Sequence, residues 1–225
     1  MFYRIFKRII DIIVALVTLI CFSPILIILF LISFLLQGWP VFYISKRLIG
    51  PENEINIYKF RTMVKDAKSI KYDLDNKYMR EGYLDIPLTS EVFTPIGRFM
   101  EKTQFVELPQ LIAVLFGKMS FVGNRPLPKK NVDILKDKFQ DDWQNRFNSP
   151  SGITGIAQIS DKFTLTTQQR FELESLYSKV YQEGNILKAD LYIFLSTIIL
   201  LILNDKEAYR SYENARNILL LCVKK

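Results

Sequence analysis

From Ile12 to Leu36 the chain runs for 25 residues without a charge. At about 1.5 Å per residue, a helix of that length reaches across the hydrocarbon core of a bilayer. Ser23-Pro24 interrupts the run at its middle, where the proline removes a backbone donor and crowds the preceding turn, so the helix is predicted to kink or break. Each half, about eleven or twelve residues, is too short to cross alone. The run is also too long for a signal peptide and lacks a small-x-small cleavage site. Two arrangements fit: a full span, or a segment that enters the membrane, turns at Ser23-Pro24 and leaves by the same face. Arg4, Lys7 and Arg8 flank one end and Lys46 and Arg47 the other, and placing three basic residues outside opposes the positive-inside tendency. The charge pattern and the central proline together favour the re-entrant form, with Arg8, Ser23 and Pro24 at the membrane.

Beyond the anchor the pattern shortens. Trp39–Ile44 and Ile55–Phe60 read as strands around the turn Gly50-Pro51-Glu52-Asn53. Residues 64–90 are polar and predict a helix followed by a mobile loop. Thr94-Pro95 reads as a cap and first helical residue for a helix over Ile96–Lys102. Pro109 starts another, ended by Gly117. Phe121–Pro128 reads as a rigid loop, Val132–Phe147 as one charged amphipathic helix, and Gly152–Ile159 as a glycine loop leading into a short strand. Leu173, Leu176, Tyr177 and Val180 form a helical stripe within Gln168–Gln182. Leu191–Leu203 fits a buried or interfacial helix better than a span. The expected fold is α/β and mostly helical: a re-entrant anchor over 1–38, a small cytoplasmic domain over 39–203 with amphipathic helices at the membrane surface, and a helical tail over 204–225.

Composition narrows the chemistry. The chain of 225 residues has no histidine and two cysteines, Cys21 and Cys222. Serine or cysteine nucleophiles activated by histidine are excluded, as are His- or Cys-rich zinc sites and a disulfide framework. Proton transfer must rest on Asp, Glu, Lys, Tyr or water. The net charge is +7, and residues 1–50 hold five basic residues against Asp11 alone. Basic residues flanking an apolar segment point to lipid. No basic cluster interleaved with aromatics supports nucleic acid.

Four places carry candidate chemistry. Lys59 and Arg61 end a strand two residues apart and so share a sheet face, either as phosphate ligands or as an ordinary exposed strand end. Gly123-Asn124-Arg125-Pro126 holds Arg125 between a glycine and a proline, suited to bidentate phosphate binding or to a plain turn. Gly152-Ile153-Thr154-Gly155 offers two glycines and a hydroxyl where backbone amides approach a phosphate. Glu107 precedes Leu108-Pro109 at a helix start, where the dipole lowers its pKa and burial raises it; a first-turn acid is the simpler reading.

In this order these elements resemble the bacterial sugar transferases, the small monotopic phosphoglycosyl transferases. The likeness runs from Lys7-Arg8-Ile9-Ile10-Asp11 to about Thr197 and takes in Ser23-Pro24, Lys59–Met63, Glu107-Leu108-Pro109-Gln110-Leu111, Met119–Leu127 and Gly152–Gln158. The resemblance implies transfer of a sugar phosphate from a nucleotide diphosphate sugar to a polyprenol phosphate. The reaction would run at the cytoplasmic face of the bacterial inner membrane, as the first membrane step of polysaccharide or glycoconjugate assembly. It implies Mg²⁺, with Glu107 as a ligand, and leaves open a homo-oligomer or partner glycosyltransferases.

The family's Asp-Glu pair, whose aspartate forms a phosphosugar intermediate, aligns with Val106-Glu107, so valine stands at the nucleophile position. Gly-Asp-Met-Ser becomes Gly117-Lys118-Met119-Ser120, the first proline of Pro-Arg-Pro becomes Asn124, and the glycine after Arg47 is displaced to Gly50. Three outcomes follow: Glu107 serves as base or nucleophile, another nearby acid substitutes, or the chain is a catalytically silent homologue that binds lipid or nucleotide sugar or partners an active transferase.

Overall fold

The computed structural model describes residues 2–80, 83–160, 164–203 and 208–223. Helix α1 (Phe2–Gln37) runs unbroken through Pro24. The expected interruption is absorbed locally. Proline cannot donate to the Ile20 carbonyl four residues back, and the Ser23 hydroxyl donates to that carbonyl instead, at 2.8 Å.

One soluble domain touches α1 along its length. Near the N-terminus Lys7 donates to Val122 O at 3.0 Å and to Asp190 at 2.6 Å, while Asp11 accepts from Ser120 Oγ at 2.6 Å and Phe121 N at 3.0 Å. Midway, Ala15 packs with Ile57, Leu111 and Val114, and the Phe22 and Phe105 rings lie 5.8 Å apart. Near the far end Leu29 packs with Val41, Phe60 and Met100. The remaining face, including Ile13, Val17, Ile20, Ile27 and Leu35, is exposed and apolar.

β1 (Phe42–Leu48) and β2 (Glu54–Phe60) form an antiparallel hairpin pairing Tyr43 with Lys59 and Arg47 with Ile55. β1 starts later than expected and runs further, because Gly38, at φ +66°, and Pro40 hold the connection out of the ladder. Where a helix and loop were expected over 64–90, turns lead to α2 (Leu74–Tyr78) and a two-residue hairpin, β3 (Met79–Arg80) with β4 (Tyr83–Leu84). Burial of Ala67, Tyr72 and Leu74 against Val92 and Phe93 holds the turns. α3 (Pro95–Lys102) starts as expected, with Thr94 Oγ1 accepting from Gly97 N at 3.0 Å.

Pro109 does not start a helix. It lies inside a 3₁₀ helix, Phe105–Gln110, which leads into α4 (Leu111–Leu115), and Gly117 closes the turn at φ +77°. β5 (Ser120–Val122) pairs in parallel with β6 (Gly152–Thr154), and α6 (Ile156–Ile159) follows, so the strand precedes the helix rather than following a loop. Between them α5 (Lys129–Phe139) gives way to a second 3₁₀ helix, Gln140–Phe147. The expected single helix is divided at Gln140, at φ 43°, and Phe139 stacks on Phe171 with centroids 4.0 Å apart.

α7 (Thr167–Glu183) opens on a reciprocal Thr166–Gln169 capping box. α8 (Ile186–Leu203) buries Ile186, Ala189, Ile193 and Ser196 on one side, and Leu191, Leu195 and Ile202 stay exposed on the other. By length and composition α1 and α8 are the two described helices able to cross a membrane. α9 (Tyr212–Cys222) returns to the main core, where Ala215, Leu219 and Cys222 meet Leu173, Tyr177 and Val180.

The parallel β5–β6 pair depends on glycine. A Cβ on Gly152 would lie 2.1 Å from Gly123 N, and one on Gly155 would lie 2.0 Å from Gly123 O. Both clashes are with backbone, which must shift. Gly152→Ala is therefore expected to lower the melting temperature by roughly 5–10 °C in a thermal unfolding scan.

Candidate active site

The site gathers on Glu107. The 3₁₀ helix sets this carboxylate against β2 and the loop after β5. Lys59 Nζ donates to Oε1 at 2.6 Å, Arg125 Nη2 donates to the same oxygen at 2.7 Å, and Arg125 Nη1 reaches Oε2 at 3.4 Å. The side chains are 17% exposed at Lys59, 12% at Glu107 and 35% at Arg125. Burial alone raises the Glu107 pKa, but Arg125 and then Lys59 outweigh it and hold the carboxyl well below the usual carboxylate range. The sequence pointed to a helix dipole; the partners that lower this pKa are two cations. Glu107 in turn raises Arg125, while burial pulls Lys59 down against the opposing effect of Glu107.

Arg47 joins this cluster. Its Nε donates to Ser45 Oγ at 2.9 Å. Burial first, then the charge of Arg125, lowers its pKa to about 10. It meets no carboxylate at ion-pair distance among the described residues. Three cations therefore surround one carboxylate, and the surplus positive charge suits an anion with two or more formal charges. Sequence reasoning read Arg47 as a membrane flank and passed over it as a site residue; its place one residue before the end of β1, which pairs with the strand carrying Lys59, was the available signal.

Arg125 is held from behind. Its carbonyl accepts from Arg146 Nη2 at 2.7 Å, and Arg146 Nε donates to Glu174 Oε2 at 2.7 Å. Asn124 Nδ2 lies 2.8 Å from both Arg146 O and Glu174 O and 3.0 Å from Ser178 Oγ. The residue that departs from the Pro-Arg-Pro pattern thus ties the arginine loop to α7.

Other expected site residues lie elsewhere. Arg61 does not join Lys59: its Nη2 donates to Gln37 O at 2.7 Å and Gly38 O at 2.9 Å, where a cation complements the C-terminus of α1. Gly152 and Gly155 lie against the backbone of Gly123, and the Gly152 amide donates to Asn124 O at 2.9 Å. Thr154 Oγ1 hydrogen-bonds Thr197 Oγ1 at 2.7 Å. Arg8 donates to Leu115 O at 3.1 Å, against the soluble domain. Val106 is 3% exposed, within the apolar cluster of Leu29, Val41, Phe60 and Met100.

The donors for a resident Mg²⁺ do not assemble here. Glu107 Oε1 already accepts two charged hydrogen bonds, Val106 offers no oxygen, and no three Asp, Glu or Cys side chains gather among the described residues.

A helix long and apolar enough to cross a membrane is thus packed along a small α/β domain that carries a cationic site built on one acid. The bacterial sugar transferase model matches residues 2–204, and the chain belongs to that family. It is 32% identical over 206 residues, 91% of its length, to a Klebsiella pneumoniae protein named UDP-glucose:undecaprenyl-phosphate glucose-1-phosphate transferase, covering 42% of that protein. It is likewise 32% identical over 180 residues, 78% of its length, to the undecaprenyl-phosphate galactose phosphotransferase of Salmonella typhimurium, covering 37% of it. Against the sugar transferase EpsL of Bacillus subtilis, whose function is uncharacterized, identity is 33% and the match covers 77% of both chains. The chain thus spans well under half of the Klebsiella and Salmonella relatives.

Proposed function

We propose that the protein transfers a sugar phosphate from a nucleotide diphosphate sugar to a polyprenol phosphate at the cytoplasmic face of the membrane. The observation that carries this reading is the surplus of cations around Glu107. Arg125, Lys59 and Arg47 neutralise a diphosphate, and charge neutralisation with positioning is most of what phosphoryl transfer requires. With valine at position 106 the transfer is direct. A phosphate monoester with a second pKa near about 6 is largely dianionic at neutral pH and attacks without a base. Its oxygen bonds to the sugar-bearing phosphorus, the anhydride bond breaks, and the nucleoside monophosphate leaves with the electron pair. Glu107, ionised at every pH the cell meets, orients Lys59 and Arg125 rather than taking a proton.

Purified protein in detergent, given labelled nucleotide sugars, polyprenol phosphate and Mg²⁺, is expected to release nucleoside monophosphate. Silence across a panel of donors would overturn the transferase reading. The buried Val106 and the strongly acidic Glu107 favour a second reading, a silent homologue that binds ligand without turnover. Val106→Asp separates the two. Direct transfer predicts a destabilised variant with no phosphosugar adduct by mass spectrometry, because a carboxylate enters the Leu29–Met100 cluster. The silent homologue predicts a gained adduct.

The same reading places both ends of α1 on the cytoplasmic side. A helix of this length, about 54 Å if straight, exceeds the bilayer core, yet one polar domain contacts it near both ends. In a cysteine-free background, Arg4→Cys and Lys46→Cys are expected to react together with a reagent confined to the cytoplasmic side. Labelling of Arg4→Cys only from the outside would establish a span.

A further inference from the structure

Tyr43 stands at the edge of the cationic site and has no part in the reaction described above. The register of the hairpin pairs it directly with Lys59, and directly paired residues project from the same sheet face. That face carries Tyr43, Ser45 and Arg47 from β1 with Ile55, Ile57 and Lys59 from β2, so Tyr43 is its one aromatic ring. Ser45 and Ile57 are buried, whereas Tyr43 is 42% exposed. Arg47 folds back along the strand to Ser45, and after burial and Arg125 the Tyr43 phenol is the next group to bear on its guanidinium. From the polar stretch after β2, Lys68 Nζ lies 5.6 Å from the centroid of the Tyr43 ring. Lys59, Arg47 and Lys68 thus surround a half-exposed ring. Lys68 is itself exposed, so it does not shut the ring off.

The ring supplies what the cations cannot. Lys59, Arg125 and Arg47 recognise a diphosphate by charge, and charge does not tell a nucleotide from pyrophosphate. The rest of a nucleotide diphosphate sugar is a base and a sugar. A base presents a flat π-face that stacks on tyrosine whatever its hydrogen-bonding edge. A sugar presents mainly hydroxyls, and the cations around Tyr43 donate only, so they accept nothing from those hydroxyls. The other face of the hairpin gives the contrast. Tyr58, paired with Ile44, is 49% exposed but projects away from Lys59 and Arg47.

We propose that Tyr43 is the stacking platform for the nucleobase of the donor, and so the residue by which the site prefers a nucleotide to a bare diphosphate. The inference rests on the transferase reading of the Glu107 site. Titration calorimetry of the full chain in detergent, with uridine diphosphate and inorganic pyrophosphate as probes, tests it. Tyr43→Ala is expected to weaken uridine diphosphate about 10-fold, the scale of one base stacked on one ring, and to leave pyrophosphate unchanged. Tyr43→Phe keeps the ring and is expected to match the wild type for both probes. Tyr43→Leu, apolar but without a π-face, is expected to behave as the alanine variant. The control Tyr58→Ala removes a tyrosine of similar exposure from the opposite face and is expected to change neither affinity.

Equal weakening of both probes in Tyr43→Ala makes Tyr43 a support for the cations and overturns the proposal, as does unchanged binding of both. A loss in Tyr43→Phe assigns the effect to the hydroxyl and overturns stacking. If Tyr43→Ala binds uridine diphosphate normally and loses affinity only for uridine diphosphate sugars, the ring meets the sugar, and the base assignment falls. Pyrophosphate binding by the wild type separates the two readings. With pyrophosphate bound and uridine diphosphate indifferent to Tyr43, this inference fails alone. With no pyrophosphate bound, the Glu107 site fails and takes the inference with it.

Discussion

Glu174→Gln is expected to destabilise the soluble domain by about 3–5 kcal/mol, the cost of leaving a buried cation without its counter-charge. Arg146 and Glu174 are 1% and 2% exposed, so water does not replace the lost carboxylate. In a chain of this size the melting temperature should fall by roughly 10 °C or more. The double change Arg146→Met with Glu174→Met should recover most of that loss, because a packed apolar pair often matches a buried ion pair. It should not recover ligand binding. Arg146 Nη2 is the donor to the Arg125 carbonyl, so the double variant folds with the arginine loop unsupported. Thermal scans read the first effect, and titration with nucleoside diphosphate reads the second. Recovery of both would show that Arg146 serves the core alone.

Glu107→Gln should divide binding from turnover. The carboxylate competes with an incoming diphosphate for Lys59 and Arg125, and its removal leaves the site more positive. Nucleoside diphosphate affinity is therefore expected to hold or tighten. Turnover is expected to fall by about 100-fold, since the two cations lose the group that aligns them and small misplacements are costly. Stability should drop only by about 1–2 kcal/mol, because Arg125 keeps access to water. The pH dependence follows from the sign of the shift. Glu107 titrates lower in the folded protein than in the unfolded chain, where the pKa is about 4.3. Its contribution is thus fully present above that value and is lost as pH falls toward the folded pKa. The stability difference between wild type and Glu107→Gln should be flat from about pH 5 to 8 and shrink below about pH 4. An unchanged difference at acid pH would remove Lys59 and Arg125 as the partners that matter.

Much of the fold was legible because it rests on neighbours in sequence. Thr94-Pro95 capped α3, the stripe at Leu173, Leu176, Tyr177 and Val180 marked α7, and the Gly50–Asn53 turn joined the two strands. Elements depending on distant partners were read wrongly. The pairing of β5 with β6 joins residues about thirty apart through a knot of glycines, so Gly152–Gly155 looked like a phosphate loop and is a close-packed backbone contact. Arg61 looked like a second phosphate ligand and instead closes the end of α1. Gln140 carries no obvious break signal, yet its positive φ divides a helix that periodicity made continuous.

The missing histidine, the uncharged run of α1 and the lone acid at position 107 were determined by the sequence, because they follow from counting residues and from local order. They already confined the chemistry to a carboxylate with cations beside a membrane. Tertiary structure decided which cations. Lys59 precedes Glu107 by 48 residues and Arg125 follows it by 18, and no local rule chooses Lys59 over Arg61. That choice is made by packing: the 3₁₀ helix presses Val106 into the apolar cluster and turns Glu107 toward β2, where partners desolvated together hold one another in place.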